Sequence, residues 1–430
     1  MRKFVSVAVV LILSLATMTP VITASASTAK NCKKILAKYP NGVAKNKGGA
    51  DAVVQLGFAR PSIKPKVYAE ARSFDRFKDN TVCVTEANKR SLLPGLSAPA
   101  ITSTNEVQID GHPAVSTALS SAVANIGGTC MVAMRDGKII GEWYSGERTA
   151  VTKSVAFSSS KPLTAAVIGA AEQLGRLKID QSIADFIPEF KGTKKASITI
   201  RHLMTHQSGL KSSNTELATA LNIGAGATTN AALKLPLTST PGMVWDYETS
   251  AIAMQLLLKV IERATGEKFA SFAEKYVLRP TGMMNSVYVG DEPATNWETG
   301  DSWLAGGLNT TCRDLARLGQ LFQQKGKWAG QQIFSTKFAE QATAIQVPNA
   351  TFGPSGFLVS SYGFLLNQNW GGIGHSGACG QLLITMPNGV TLSSMSSSTM
   401  LTQRTTPEQC SPSRIASHTQ ATLAVARANF

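Results

Sequence analysis

No glycine-rich phosphate-binding loop occurs in the 430 residues, so a nucleotide is not expected as substrate or cofactor. Long apolar runs are missing too. The stretch Phe4–Thr19 is short for a bilayer span, so no transmembrane span is expected. Metal-binding signals are weak. His202 and His206 stand four apart, but Leu203 occupies the place where a His-Glu-x-x-His helix carries its glutamate, and no other ligands lie nearby. Structural hydrogen bonding is the expected role of both histidines, with no metal. Acids are scarce: 27 Asp and Glu face 42 Lys and Arg.

That excess base sits near the start. Arg2 and Lys3, the apolar run behind them and Ala24-Ser25-Ala26 form the pattern of a secretion signal over residues 1–26. Its removal leaves 40 bases against 27 acids, and residues 27–90 hold 14 bases against 5 acids. For a secreted or envelope-associated protein the matching polyanions are wall polymers or lipid headgroups, with no nucleic acid expected; charge for solubility alone is the rival explanation. Six cysteines in an exported chain allow three disulfides in fifteen pairings. Cys32 and Cys83 enclose the basic region and are expected to be joined. Cys379 with Cys410 is the next choice, and Cys130 and Cys312 are left over. Residues 91–113, rich in Pro, Ser, Gly and Thr, read as a linker.

From residue 114 to 430 the chain is long enough for one large domain. Cys130–Arg135 and Ile139–Tyr144 flank Asp136-Gly137, a strong hairpin signal. Leu382–Met386 and Val390–Met395 flank Pro387-Asn388-Gly389, a second one. Helices are expected from Ser158 towards Gly175, over Ser250–Ala264 with Leu256, Leu257, Val260 and Ile261 inward and Gly266 as the stop, over Arg313–Gln324, and over Ile415–Ala428. Strands at both ends with helices between them give an α+β plan: an antiparallel sheet built from both chain ends with a helical region inserted.

The chemistry centres on Phe157-Ser158-Ser159-Ser160-Lys161-Pro162 and the Ala-rich run behind it. Pro162 marks the first turn of a helix. Ser158 and Lys161, three apart, then share one face. A serine hydroxyl becomes a nucleophile when a neighbour takes its proton, and a lysine neutralised by burial can do so. Ser-x-x-Lys occurs three times, at Ser27, Ser158 and Ser208; the apolar setting separates the copy at Ser158.

Further motifs follow in order. They are Ile200-Arg201-His202-Leu203-Met204-Thr205-His206-Gln207-Ser208-Gly209-Leu210, Pro241-Gly242-Met243-Val244-Trp245-Asp246-Tyr247, Pro280-Thr281-Gly282-Met283, Ala305-Gly306-Gly307-Leu308-Asn309-Thr310-Thr311 with Asp314-Leu315-Ala316, and Gly374-His375-Ser376-Gly377. Together they resemble the serine β-lactamase and D,D-peptidase clan, in its class C and esterase-like branch. The run Asp301–Asn309 and Tyr362-Gly363-Phe364 are similar to 6-aminohexanoate-dimer hydrolases. The resemblance implies Ser158 as nucleophile, Lys161 as proton acceptor, Tyr247 as proton shuttle, and the N–H groups of Ser158 and Ala378 as oxyanion hole. His375, Ser376, Gly377 and Thr249 would bind substrate, and no cofactor is implied. Residues 31–86 resemble an Excalibur module whose loop keeps only Asp75 and Asp79 as carboxylates, too few oxygens for calcium.

Two departures set the expected substrate. Thr249 stands where the clan's Tyr-x-Asn motif has its amide, and His375 where lactamases carry lysine. Both shift the expectation from lactams towards a small amide, ester or peptide, cleaved through an acyl-enzyme. A D,D-carboxypeptidase or β-lactamase, and a non-catalytic wall-binding protein, are the alternatives.

Overall fold

The computed structural model describes residues 32–50, 60–74, 80–83, 129–144, 148–213, 225–247, 249–288, 301–348, 350, 361–369, 371–396, 419 and 422–426. The expected signal, the linker, Asp75, Asp79 and Cys410 lie outside the described residues.

The N-terminal region holds a small sheet of β1 (Val43–Ala44), β2 (Ser62–Ile63) and β3 (Thr81–Val82), in the order β2-β1-β3. Helix α1 (Pro65–Ala71) starts on a proline, whose missing N–H costs nothing in a first turn. Cys32 and Cys83 are joined, with Cα atoms 5.4 Å apart. Around them pack Leu36, Val43, Ala71 and Val82. So few apolar side chains make a marginal core, and the staple offsets that.

The large domain opens with β4 (Thr129–Arg135) and β5 (Lys138–Tyr144). Asp136 and Gly137 between them both have positive φ (53° and 76°), as a two-residue hairpin turn requires. The short β6 (Ser154–Val155) precedes α2 (Lys161–Gln173), and α3 (Ile200–Met204) and α4 (Ala225–Lys234) follow. Helix α5 covers Leu256–Thr265 and α6 Phe269–Ala273. Strands β7 (Val287–Tyr288) and β8 (Leu308–Thr310) pair with β6 in a small sheet. Helix α7 (Cys312–Gln323) leads to the ribbon β9 (Lys327–Trp328) and β10 (Gln331–Gln332), then to α8 (Thr336–Thr343). The closing strands are β11 (Val347–Pro348), β12 (Ser361–Tyr362), β13 (Asn367–Asn369), β14 (Gly372–Gly377), β15 (Gln381–Thr385) and β16 (Thr391–Ser396).

The main sheet runs β11-β12-β13-β14-β15-β16-β4-β5, antiparallel throughout. Strand β4 pairs with β16, Val132 opposite Ser393, so both chain ends build one sheet as expected. Alternation sorts the side chains. Val132, Met134 and Leu383 join the larger core with α2, α5 and α7. Met131, Ala133, Leu382 and Ile384 face the other way, onto Leu423, Val425 and Ala426. Of the closing helix expected over Ile415–Ala428, residues 419 and 422–426 are described, and they are helical.

The helix expected from Ser250 begins only at Leu256. Two 3-10 turns, Thr249–Ala251 and Ala253–Gln255, precede it. The Ser250 hydroxyl donates back to the Asp246 carbonyl, which holds the entry in a tighter path. The inward set and the Gly266 stop (φ 74°) are as expected. Helix α7 starts one residue early because Thr311 caps the Asp314 N–H.

The two cysteines left unpaired by sequence reasoning find each other. Cys130 in β4 bonds Cys312 at the start of α7, across 182 residues. Cys379 is also disulfide-bonded; Cys410, its expected partner, lies outside the described residues. Replacing Cys130 and Cys312 together by alanine should remove about 2–5 kcal/mol of stability. A thermal melt unchanged from the parent would contradict a structural role for this bridge.

Candidate active site

The turn before α2 is a 3-10 element, Phe157–Ser160. Phe157 sits at φ 47°, a left-handed conformation that a bulky residue adopts at a cost of about 1–3 kcal/mol. Its ring packs with Val155 and Cys379, so the strained residue leans on the segment just after Ala378. Ser158 follows and is half-buried. The two serines behind it are fasteners. The Ser159 hydroxyl donates to the His375 carbonyl at 2.9 Å, and the Leu308 N–H donates to the Ser160 hydroxyl at 3.0 Å. They tie the turn to β14 on one side and β8 on the other.

Strand β14 reaches the turn because glycine lets it. A Cβ on Gly377 would collide with the Ala156 carbonyl and stand 3.1 Å from the Ser159 nitrogen. Ala378 lies just beyond, exposed, at the start of a 3-10 turn. Gly377 thus brings the Ala378 end of β14 against the turn that carries Ser158.

Lys161 is the first residue of α2, and its side chain is 1% exposed. Its Nζ donates to the Tyr247 hydroxyl at 3.0 Å and to the Ala305 carbonyl at 3.3 Å. Burial pushes its pKa down to about 7. Burial pushes the pKa of the Tyr247 phenol up, against a smaller lowering by the neighbouring Ser158 hydroxyl, so it stays protonated. Ser158, Lys161 and Tyr247, spread over 90 residues of sequence, are thus brought together, with Lys161 and Tyr247 hydrogen-bonded and the Ser158 hydroxyl beside the phenol.

His375 backs Tyr247, only 2% exposed. Its Nδ1 lies 2.6 Å from the Ser376 carbonyl, which can only accept, so Nδ1 carries the proton. Burial, then the charge of Lys161, holds the ring's pKa well below the usual histidine range. The neutral ring therefore offers Nε2 as acceptor, and the hydroxyls of Tyr247 and Tyr362 both face it at 3.4 Å. Ser376 and Gly377 are half-buried on the same strand. Thr249 opens the 3-10 turn after Tyr247; its side chain lies outside the described residues.

The segment carrying Tyr247 is held by the turn at His206–Gly209. Backbone N–H groups of Thr238, Gly242 and Asp246 donate to the carbonyls of Gly209, Gln207 and His206 at 2.8, 2.8 and 3.1 Å. Gly209 has φ 73°, and a Cβ there would collide with the Ser239 carbonyl. His202 is separate: its Nδ1 accepts the Thr199 N–H in the capping box of α3. Among the described residues no group of three His, Cys, Asp or Glu side chains is placed to hold a metal, and no helix is long and apolar enough to cross a membrane. Sequence reasoning gave Ser159 no role and placed Tyr362 only within a resemblance. Each meets the site through a partner more than ten residues away, so no local pattern marks it.

A family model described as Beta-lactamase matches residues 115–421. The chain belongs to the beta-lactamase family. Within it, this chain is 29% identical over 153 residues to esterase EstB of Burkholderia gladioli, covering 32% of this chain and 38% of that protein. It is 21% identical over 261 residues to the 6-aminohexanoate-dimer hydrolase of Paenarthrobacter ureafaciens, covering 57% and 64%. The match thus spans less than two thirds of either relative. Among solved structures, the octameric penicillin-binding protein homologue from Pyrococcus abyssi aligns with a TM-score of 0.54 at 20% identity, over 73% of this chain and 77% of that one. A family VIII carboxylesterase aligns with a TM-score of 0.54 at 15% identity, over 72% and 97%. These likenesses show the beta-lactamase fold.

If Lys161 takes the Ser158 proton, a pKa near 7 gives that step a visible signature. Below pH 7 Lys161 is an ammonium with no lone pair for the Ser158 proton; above it the amine is free. Turnover of a nitrophenyl ester should therefore rise with pH along a single limb centred near 7. Folding shares the link. The unfolded chain keeps Lys161 charged to about pH 10.5 and the folded one does not, so this residue's contribution to stability improves as pH rises from 7 to 10.5. Lys161→Met should abolish turnover yet raise the melting temperature at pH 7. The shift represents about 3–5 kcal/mol, offset in part by the two lost hydrogen bonds. An inactive variant that melts lower than the parent would contradict this account.

Proposed function

We propose that the protein is a serine hydrolase that opens an ester or small linear amide through an acyl-enzyme. The observation that carries this is the buried Lys161 amine, hydrogen-bonded to a phenol that the Ser158 hydroxyl neighbours. In the reaction the Ser158 oxygen attacks the substrate carbonyl carbon. Its proton passes to Lys161, with Tyr247 accepting it on oxygen as its own proton moves to Nζ. The oxyanion forms between the N–H groups of Ser158 and Ala378. On collapse the carbonyl re-forms and the bond to the leaving group breaks. The proton returns from the Lys161 ammonium through Tyr247 to the departing oxygen or nitrogen. Water then repeats the sequence on the acyl-enzyme and frees Ser158.

The same geometry argues against lactams as favoured substrates. A lactam carboxylate needs a cation, and the side chain at the third-motif position is a buried neutral imidazole occupied with two phenols. Thr249 has one hydroxyl where the related motif has an amide. Two such lost contacts, at about 1–3 kcal/mol each, lower efficiency by roughly one to four orders of magnitude. The names of the relatives, an esterase and a dimer hydrolase, lean the same way.

Ser158 should take up a fluorophosphonate and turn over short-chain nitrophenyl esters or small linear amides, with nitrocefin hydrolysed slowly. Ser158→Ala should lose labelling and turnover, and Tyr247→Phe about 10²–10⁴ of the rate. Labelling that persists in Ser158→Ala would remove the nucleophile assignment, and fast nitrocefin turnover without esterase or amidase activity would restore the lactamase reading.

We also read the protein as exported, with residues 1–26 as its signal. The bridges Cys32–Cys83 and Cys130–Cys312 support this, since such bonds persist in oxidising compartments. Exposed Lys33, Lys34, Lys38, Lys45, Lys64 and Lys66 give the stapled module the charge to adhere to an anionic wall polymer. Expression in a secreting host should yield a mature chain starting near Ser27, retained on the cell envelope and released by salt. Retention of the chain inside the cell, or binding indifferent to salt, would refute these readings.

A further inference from the structure

The turn at His206–Gly209 holds the Tyr247 segment by backbone and side chain together: the Thr238 N–H and hydroxyl both donate to the Gly209 carbonyl, and the Gln207 amide donates to the Gly242 carbonyl. At His206 the side chain adds something that the backbone does not. Its carbonyl receives the Asp246 N–H at 3.1 Å, on one side of Tyr247. Its Nδ1 lies 2.6 Å from the Ser250 hydroxyl, on the other side. That hydroxyl donates to the Asp246 carbonyl, so it accepts from His206, and Nδ1 is the protonated nitrogen. His206, Asp246 and Ser250 thus close a ring of hydrogen bonds around the base of Tyr247.

The imidazole is an expensive choice for this place. It is 1% exposed, and among the described residues its Nε2 has no hydrogen-bond partner. A leucine would fill similar volume without leaving a buried acceptor unpaired. The backbone at His206 is also left-handed, at φ 54°. Its ring lies 5.0 Å from the Tyr247 ring and 5.3 Å from the Tyr362 ring, and Tyr362 shares His375 Nε2 with Tyr247. Packing accounts for the volume, and the bond to Ser250 accounts for the nitrogen.

We propose that His206, acting through Ser250, is a positioning residue for Tyr247: it fixes the phenol between Ser158 and Lys161. The inference rests on the proton-relay role of Tyr247, and its test separates the two. A displacement of about 1 Å in a relay group can cost on the order of 10² in rate. In the full-length mature enzyme with a nitrophenyl ester, His206→Leu should lower kcat about 100-fold with KM within about threefold of the parent. His206→Asn, whose amide can donate to Ser250 from nearly the same point, should recover most of that loss. Ser250→Ala should lower kcat in the same direction by about tenfold. In a Tyr247→Phe background neither His206→Leu nor Ser250→Ala should reduce the residual rate further, because the group they position is gone. A merely structural role would instead lower both backgrounds alike. If Tyr247→Phe itself costs nothing, the relay reading fails and this inference with it. If Tyr247→Phe is slow but the His206 and Ser250 variants keep the parental kcat, the relay stands and the inference is overturned. Should His206→Leu not fold, Ser250→Ala in the two backgrounds decides alone.

Discussion

The site depends on taking one lysine out of water. An ammonium at the position of Lys161 would lose its hydration and gain only a phenol and a carbonyl in return, and it therefore gives up its proton near pH 7. Its place in the first turn of α2 works in the same direction, since a helix N-terminus disfavours added positive charge. The apolar body of that helix supplies the dryness. Leu163, Ala165, Ala166, Val167 and Ile168 are all fully buried. On the proposed mechanism, the reactivity of Ser158 is thus a property of how the helix is packed.

Holding a neutral lysine against a neutral tyrosine requires that neither neighbour drift. The chain meets that need by fastening the Ser158 turn from several directions. Ser159 binds the carbonyl of the residue whose ring backs Tyr247. Thr164 shares a hydrogen bond with Tyr288 at 2.8 Å, and Tyr288 donates to the Ser160 carbonyl. The third motif has glycines for close approach. Gly374 fits against the Leu383 carbonyl and Gly377 against that of Ala156, where a Cβ on either would collide. A strained Phe157 is tolerated because its surroundings determine it from both sides.

What the sequence made legible follows from what is local. The hairpin at Asp136-Gly137 was readable because its turn needs positive φ at both positions. Ser158 and Lys161 were readable because a shared helix face needs a spacing of three. The start of α5 was not, because the Ser250 hydroxyl competes with the helix for the Asp246 carbonyl, and periodicity carries no trace of that. The Cys130–Cys312 bridge was hidden by the 182 residues between its ends. His375 was recognisable as a departure from lysine, but its burial against Tyr247 and Tyr362 depends on how β12 and β14 lie either side of β13. Pairings made by the tertiary fold are invisible until the sheet is built.

That sheet has a consequence for timing. Strand β4 enters the chain early, yet its partners are β5 and β16, and β16 ends at Ser396. The strand bearing His375 and the turn bearing Ala378 are likewise made more than 200 residues after Ser158. A chain emerging from the ribosome therefore carries its serine and lysine on a helix with no sheet to close over them. On the proposed mechanism the amine there is wet and charged and the hydroxyl inert, so reactivity waits for the last strands to dock and the growing polypeptide is chemically silent until nearly all of it exists.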